Sequence, residues 1–175
     1  MERGRIVTVS SDAGPPAGSD EWRNIPTVDL GDVAVLPGLV NAHTHLELSW
    51  MRGRVASSAS MPAWAASLMA LRRQHAAEPL PPIETAITEA RAAGTALVGD
   101  VTNTLAPDPL LRASPLGGAT FYELLGFSAP EPEQVVANAR AALKSLPAAM
   151  EWSRTIVPHA PYSVSPTLFR AIGSA

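Results

Sequence analysis

Two histidines one residue apart, His43 and His45, close an apolar run that begins Val35-Leu36-Pro37-Gly38-Leu39-Val40 and passes through Asn41-Ala42. In an extended strand successive side chains point to opposite faces, so His43 and His45 share a face while Thr44 turns away. Two neutral imidazoles on one face can grip a single metal ion, and a catalytic site needs about three or four protein ligands with one position left open. The pair is half of a metal site. By the same alternation Glu47 falls on the face of His43 and His45, where it would hydrogen-bond substrate or a metal-bound water. The other reading of Glu47 is a strand-end carboxylate in solvent or paired with Arg52 or Arg54.

The rest of the chain alternates between strand and helix periods. Trp64, Leu68, Leu71 and His75 recur at helical spacing behind Pro62, whose missing N–H costs nothing in a first turn, and they predict a first outer helix. Ile83, Ile87, Ala90 and Gly94 predict a second helix with a glycine stop, followed by a strand over 95–101 buried on both sides. A short helix over 108–112, a strand over 119–126, a helix over 133–146 and a strand over 155–159 come next. Ser165-Pro166 then opens a helix as N-cap and first residue. Four strands separated by helices of this size are βαβ units, so the sheet is parallel. Ahead of them, short extended runs over 5–9 and 27–30 flank a Gly/Pro/Ser-rich loop, which makes residues 1–36 a small all-β element.

Three further side chains carry chemistry of their own. Asp100 ends the second strand, where a carboxylate commonly accepts loop N–H groups and less often reacts. Glu123 either faces the open end of the sheet or pairs with a neighbouring strand. His75 ends a helix stripe on the outside and is excluded as a ligand.

Composition narrows the class of partner. A net charge of −3 leaves no basic footprint for nucleic acid. The absence of cysteine rules out disulfides and thiolate ligands, so His and carboxylate must hold any metal. No apolar stretch approaches the ~20 residues of a membrane span, and Met1-Glu2-Arg3-Gly4-Arg5 lacks the apolar core of a signal peptide, which makes the cytoplasm the default location.

The run Pro37-Gly38-Leu39-Val40-Asn41-Ala42-His43-Thr44-His45-Leu46 resembles the first barrel strand of the amidohydrolase superfamily. Gly94-Thr95 with Val98 and Asp100 is similar to its second strand. Pro158-His159-Ala160-Pro161-Tyr162-Ser163-Val164-Ser165 resembles the branch that holds S-adenosylhomocysteine, methylthioadenosine and aminofutalosine deaminases and chlorohydrolases. The resemblance implies an α/β fold, a (β/α) TIM-type barrel of which strands 1–4 are present, preceded by part of a small β-sandwich. Domains follow as 1–36, the partial sandwich, and 37–175, the N-terminal half of the barrel. Positions 37–175 are roughly half of the ~250 residues a full barrel takes, so the chain reads as a fragment of a larger sequence.

The resemblance also assigns roles. His43 and His45 become metal ligands for one divalent ion, Zn first and Fe or Ni as alternatives. His159, at the end of strand four, becomes a substrate contact rather than a third ligand, with Glu47 and Glu123 beside it as substrate-binding candidates. The catalytic acid/base and the remaining ligands would lie beyond Ala175. The implied reaction is hydrolysis of a carbon–nitrogen bond other than a peptide bond: deamination of a cyclic amidine such as an aminopurine, a modified nucleoside or a triazine-like ring. Ring-amide hydrolysis and dechlorination are the alternatives within the class. An inactive remnant, or a half barrel that needs a complementary chain, is the alternative outside it. Arg72-Arg73-Gln74 stand where adenosyl-deaminating members carry a ribose-binding glutamate, a departure that argues against adenosyl substrates. The partner is a small molecule, with neither nucleic acid nor membrane, and a homo-oligomer stays open.

Overall fold

The computed structural model describes residues 28–75, 83–148 and 152–175, together with Ile6, Val9 and Pro26. The chain divides into two units, Met1–Leu36 and Pro37–Ala175. In the first, the N–H of Gly31 donates to Asp29 Oδ1 at 2.8 Å and Gly31 takes φ +69°, an Asx turn. Residues 28–36 form no strand, and most of the proposed sandwich, including the run over 5–9 apart from Ile6 and Val9, lies outside the described residues.

The second unit is a four-stranded parallel sheet in the order β1-β2-β3-β4, with β1 Leu39–Thr44, β2 Thr95–Thr102, β3 Gly117–Leu124 and β4 Trp152–Pro158. Helices α1 Met61–Gln74, α2 Ile83–Ala92, α3 Pro107–Ala113, α4 Pro132–Ser145 and α5 Pro166–Gly173 alternate with the strands, the arrangement of a partial (β/α) barrel. Thr102 pairs with Tyr122, and Leu124 pairs with Pro158, so the carboxyl ends of neighbouring strands gather at one end of the sheet.

Local chemistry sets these boundaries. Gly94 takes φ +87° between α2 and β2, a left-handed turn that residues with a Cβ resist. Ser165 caps α5 by accepting from Leu168 N–H at 3.1 Å, with Pro166 in the first turn. At Gly118, φ +144°, an added Cβ would lie 1.9 Å from the Val98 carbonyl oxygen, so β3 can approach β2 there only as glycine.

Two apolar clusters cover one face of the sheet. Leu46, Ile83, Ile87, Val98, Leu111, Leu116 and Trp152 form the first; Leu124, Val136, Ala139, Val164, Leu168 and Ile172 form the second. The opposite face carries Leu39 and Leu97, both substantially exposed, so the expected burial of β2 on both sides fails at its start and holds from Val98 to Thr102. Residues at odd positions of β2 alternate away from the helix layer.

Two further expectations are corrected. Val35 and Leu36 are exposed and precede the strand, which starts at Leu39. The helix that packs on the sheet after β1 is α2, which buries Ile83 and Ile87, whereas α1 buries no residue. Periodicity identifies an amphipathic helix but not the surface its stripe meets.

Between the layers, Asp108 is wholly buried and accepts both Arg154 Nε and Nη2 at 2.8 and 2.7 Å, along with the Thr120 hydroxyl at 3.0 Å. The hydrogen bonds from Arg154 to Asp108 hold the guanidinium pKa above its ordinary value. Trp152 Nε1 donates to Thr120 Oγ1 at 2.8 Å and extends this link across β3 and β4. Breaking a buried pair leaves one charge uncompensated, so Asp108→Asn is expected to cost about 3–5 kcal/mol, read from the urea unfolding midpoint. A loss below about 1 kcal/mol would mean that the pair does not anchor α3.

Candidate functional site at the carboxyl ends of the strands

β1 ends at Thr44, and a 3-10 helix, Leu46–Met51, begins directly after His45. His43 and His45 still converge: their Nε2 atoms lie 3.1 Å apart, with ring centroids at 5.0 Å and planes at 64°. Two nitrogens each about 2.0–2.1 Å from one ion and roughly 100° apart would be separated by about 3.1 Å, so the donor pair fits a zinc-like ion. Among the described residues no third His, Asp or Glu completes a cluster with them.

Glu47 does not share their face. The alternation stops where the strand stops, and the 3-10 turn carries Glu47 inward until its side chain is 2% exposed. There its Oε2 accepts Thr102 Oγ1 at 2.7 Å, Thr104 N–H at 3.0 Å and Thr104 Oγ1 at 2.6 Å. Oε1 accepts Asn103 N–H at 3.1 Å and lies 3.6 Å from Arg72 Nη2. The solvent reading fails as well, since Arg52 pairs with Glu89 at 2.6 Å and Arg54 stacks over Trp50 at 5.5 Å.

Asn103, which the sequence reading passed over, is the hub of the next layer. Its Nδ2 donates to Glu123 Oε2 at 3.1 Å and to the Glu123 carbonyl at 3.0 Å, while its Oδ1 accepts Arg72 Nη1 at 3.2 Å. Glu123 is 8% exposed, and of its two carboxylate oxygens Asn103 engages Oε2. The signal for Asn103 was present: Thr102-Asn103-Thr104 is a polar run directly behind an apolar strand.

Asp100 is fully buried and ties the layers from below. Its Oδ1 accepts Leu46 N–H at 2.9 Å, next to His45, but Oδ2 has no hydrogen-bond partner. Burial pushes its pKa up to about 7; the Leu46 N–H opposes this, and the Glu47 and Asp108 carboxylates add to it.

His159 follows β4 directly, with its N–H donating to the Leu124 carbonyl at 3.1 Å. Ser163 Oγ meets its Nδ1 at 2.5 Å and the Tyr162 ring stands edge-on at 5.7 Å. Nδ1 is thus engaged, which leaves Nε2 for a ligand. His75 caps α1 and stands edge-on to Trp50 at 5.4 Å.

A parallel β/α half barrel with polar side chains gathered at its strand ends is the architecture of barrel enzymes. No protein-family model matches the chain. Two curated relatives carry the name 5-methylthioadenosine/S-adenosylhomocysteine deaminase. The one from Nitratidesulfovibrio vulgaris is 36% identical over 53 residues, 30% of this chain and 11% of that protein. The one from Moorella thermoacetica is 44% identical over 48 residues, 27% of this chain and 10% of that protein. Among solved structures, Helicobacter pylori aminofutalosine deaminase in complex with methylthio-coformycin superposes with TM-score 0.62 at 28% identity, over 78% of this chain and 33% of its own. Triazine hydrolase from Arthobacter aurescens gives TM-score 0.66 at 16% identity, over 79% and 38%, a likeness of fold. These deaminases and hydrolases are members of the amidohydrolase superfamily, which this chain resembles in sequence and in fold. The matches cover about a tenth of each curated relative, and the chain spans about a third of the aminofutalosine deaminase. Among the described residues no helix is long and apolar enough to cross a membrane.

Two predictions follow from the buried carboxylates. A hydrogen bond to a charged group contributes about 1.5–3 kcal/mol, so Glu47→Ala should speed amide exchange at the part-buried N–H groups of Asn103 and Thr104 by about tenfold or more; unchanged exchange would show that Glu47 does not hold that loop. For Asp100, the folded-state pKa of about 7 lies above the ordinary 3.8, so the folded protein binds the extra proton and stability falls as pH rises from about 4 to 7. At 1.36 kcal/mol per pKa unit the loss is up to about 4 kcal/mol. Urea midpoints should therefore show Asp100→Asn gaining on the parent chain between pH 5 and pH 8, and a constant difference would refute the shift.

Proposed function

We propose that residues 37–175 supply the first half of the active site of a metal-dependent hydrolase that deaminates a cyclic amidine: an aminopurine, a modified nucleoside or a triazine-like ring. The observation that carries the reading is the 3.1 Å approach of His43 and His45 Nε2 at the end of β1. In this reading the two imidazoles hold one divalent ion, zinc by preference with iron or nickel as alternatives, since neutral imidazole suits all three. Such an ion, when bound, supplies water activation near neutral pH.

The chain's own residues do the rest of what is assigned to it. His159, with Nδ1 held by Ser163, presents Nε2 to a ring heteroatom of the substrate. Glu123 accepts from an exocyclic N–H, its carboxylate oriented by Asn103. Glu47 is assigned a supporting role, because its oxygens are already engaged by Thr102, Asn103, Thr104 and Arg72. A second reading keeps the same ring-hydrolase class and has the ring lose a chloro substituent, or hydrolyses a ring amide, in place of deamination.

The test is a zinc titration of the chain followed by the imidazole resonances, paired with assays of ammonia and chloride release from aminopurines, nucleosides and chlorotriazines by the protein that contains the chain. His43→Ala and His45→Ala are each expected to weaken zinc binding at least tenfold and to abolish turnover. Zinc affinity that is indifferent to both replacements would sink the metal assignment, whereas chloride release without ammonia would select the second reading.

A further inference from the structure

A groove of about 280 Å³ opens between the 3-10 helix and α1, and His45 is part of its wall. Leu48, Met51, Val55, Trp64 and Leu68 make up most of the remaining lining. This accounts for the stripe on α1: the helix buries no residue in the core, yet Trp64 and Leu68 face this groove. Trp64 is only 37% exposed, a partly covered aromatic surface on the site side of the molecule.

We propose that the groove receives an uncharged aromatic or alkyl substituent of the substrate whose reacting ring lies at the His43–His45 pair, an inference that rests on the hydrolase reading above. Continuity carries the first part: His45 belongs both to the imidazole pair and to the groove, so a ring held at the pair has this wall within reach. Size carries the second. Pockets for whole drug-sized ligands run to about 300–1,000 Å³, so this groove suits one ring or a short alkyl group rather than a complete nucleoside.

Charge decides the chemistry of the group. Arg52 is the charged residue of the lining, and Glu89 pairs with it at 2.6 Å. Arg72, on α1, is held by Glu47 and Asn103. An anionic substituent would find both guanidiniums already committed and would lose its hydration against Leu48, Met51 and Trp64. A flat apolar group gains the indole face and displaces water from apolar surface.

The experiment titrates the 175-residue chain with benzyl alcohol and, separately, with benzoate, following the Trp64 indole N–H and Met51 methyl resonances in excess EDTA. Benzyl alcohol is expected to give saturable shifts, and benzoate at least tenfold weaker binding at the same sites. Trp64→Ala should weaken benzyl alcohol binding at least tenfold while Trp64→Phe retains it, with the Leu111 and Leu168 methyl signals unchanged as a check that the core is intact. Absence of saturable shifts, equal binding of benzoate, or indifference to Trp64→Ala would overturn the proposal. Because EDTA removes metal, failure of the zinc titration with benzyl alcohol binding intact would defeat the hydrolase reading and leave the apolar groove standing; the converse would defeat the groove alone.

Discussion

The arrangement of strand ends depends on one buried carboxylate, Glu47. A charge removed from water costs several kcal/mol unless donors replace the hydration, and here the donors come from the segment that follows β2. Satisfying Glu47 therefore fixes where Thr102, Asn103 and Thr104 sit. Leu105, directly after them, takes φ +59°, a conformation that non-glycine residues adopt only when their surroundings impose it. Asn103, so placed, reaches Glu123 on β3 and Arg72 on α1. One side chain beside His45 thus sets the relation between three strand ends and the helix that crosses them.

Asp108 and Asp100, both fully buried, behave differently for a reason visible in their partners. Asp108 receives a bidentate guanidinium and a hydroxyl, which replace the hydration it gives up in the interior. Asp100 receives a single backbone N–H and lies near two other carboxylates, so desolvation dominates and its pKa rises to about 7. Both lie between the sheet and its helices. That layer steadies the end of β1 from below, while the side chains with room for a ligand lie above it.

The likeness to these proteins extends to the scaffold and leaves the chemistry to local detail. Proteins with this barrel share its strands at 28% and 16% identity while their names record different reactions. In barrel enzymes such differences reside in the segments beyond the strand ends. In this chain those segments include α1, whose apolar stripe lines a groove instead of joining the core.

Much of the scaffold was legible because it is governed by neighbours in sequence. The alternation of periods marked four strands and their helices, Ser165-Pro166 marked the start of α5, and the spacing of His43 and His45 placed both imidazoles together. What the sequence could not decide depends on partners far along the chain. Alternation put Glu47 beside the histidines, but a 3-10 turn and donors 55 to 57 residues away draw it inside. Helical spacing found α1 without revealing that α2 would cover the sheet, and nothing local gave Asn103 its partners on two other elements. The sequence by itself determined the elements and the histidine pair, since both follow from backbone period. Only the tertiary structure decided which polar groups are buried and what they hold, because burial and hydrogen-bond satisfaction are properties of the assembled layers.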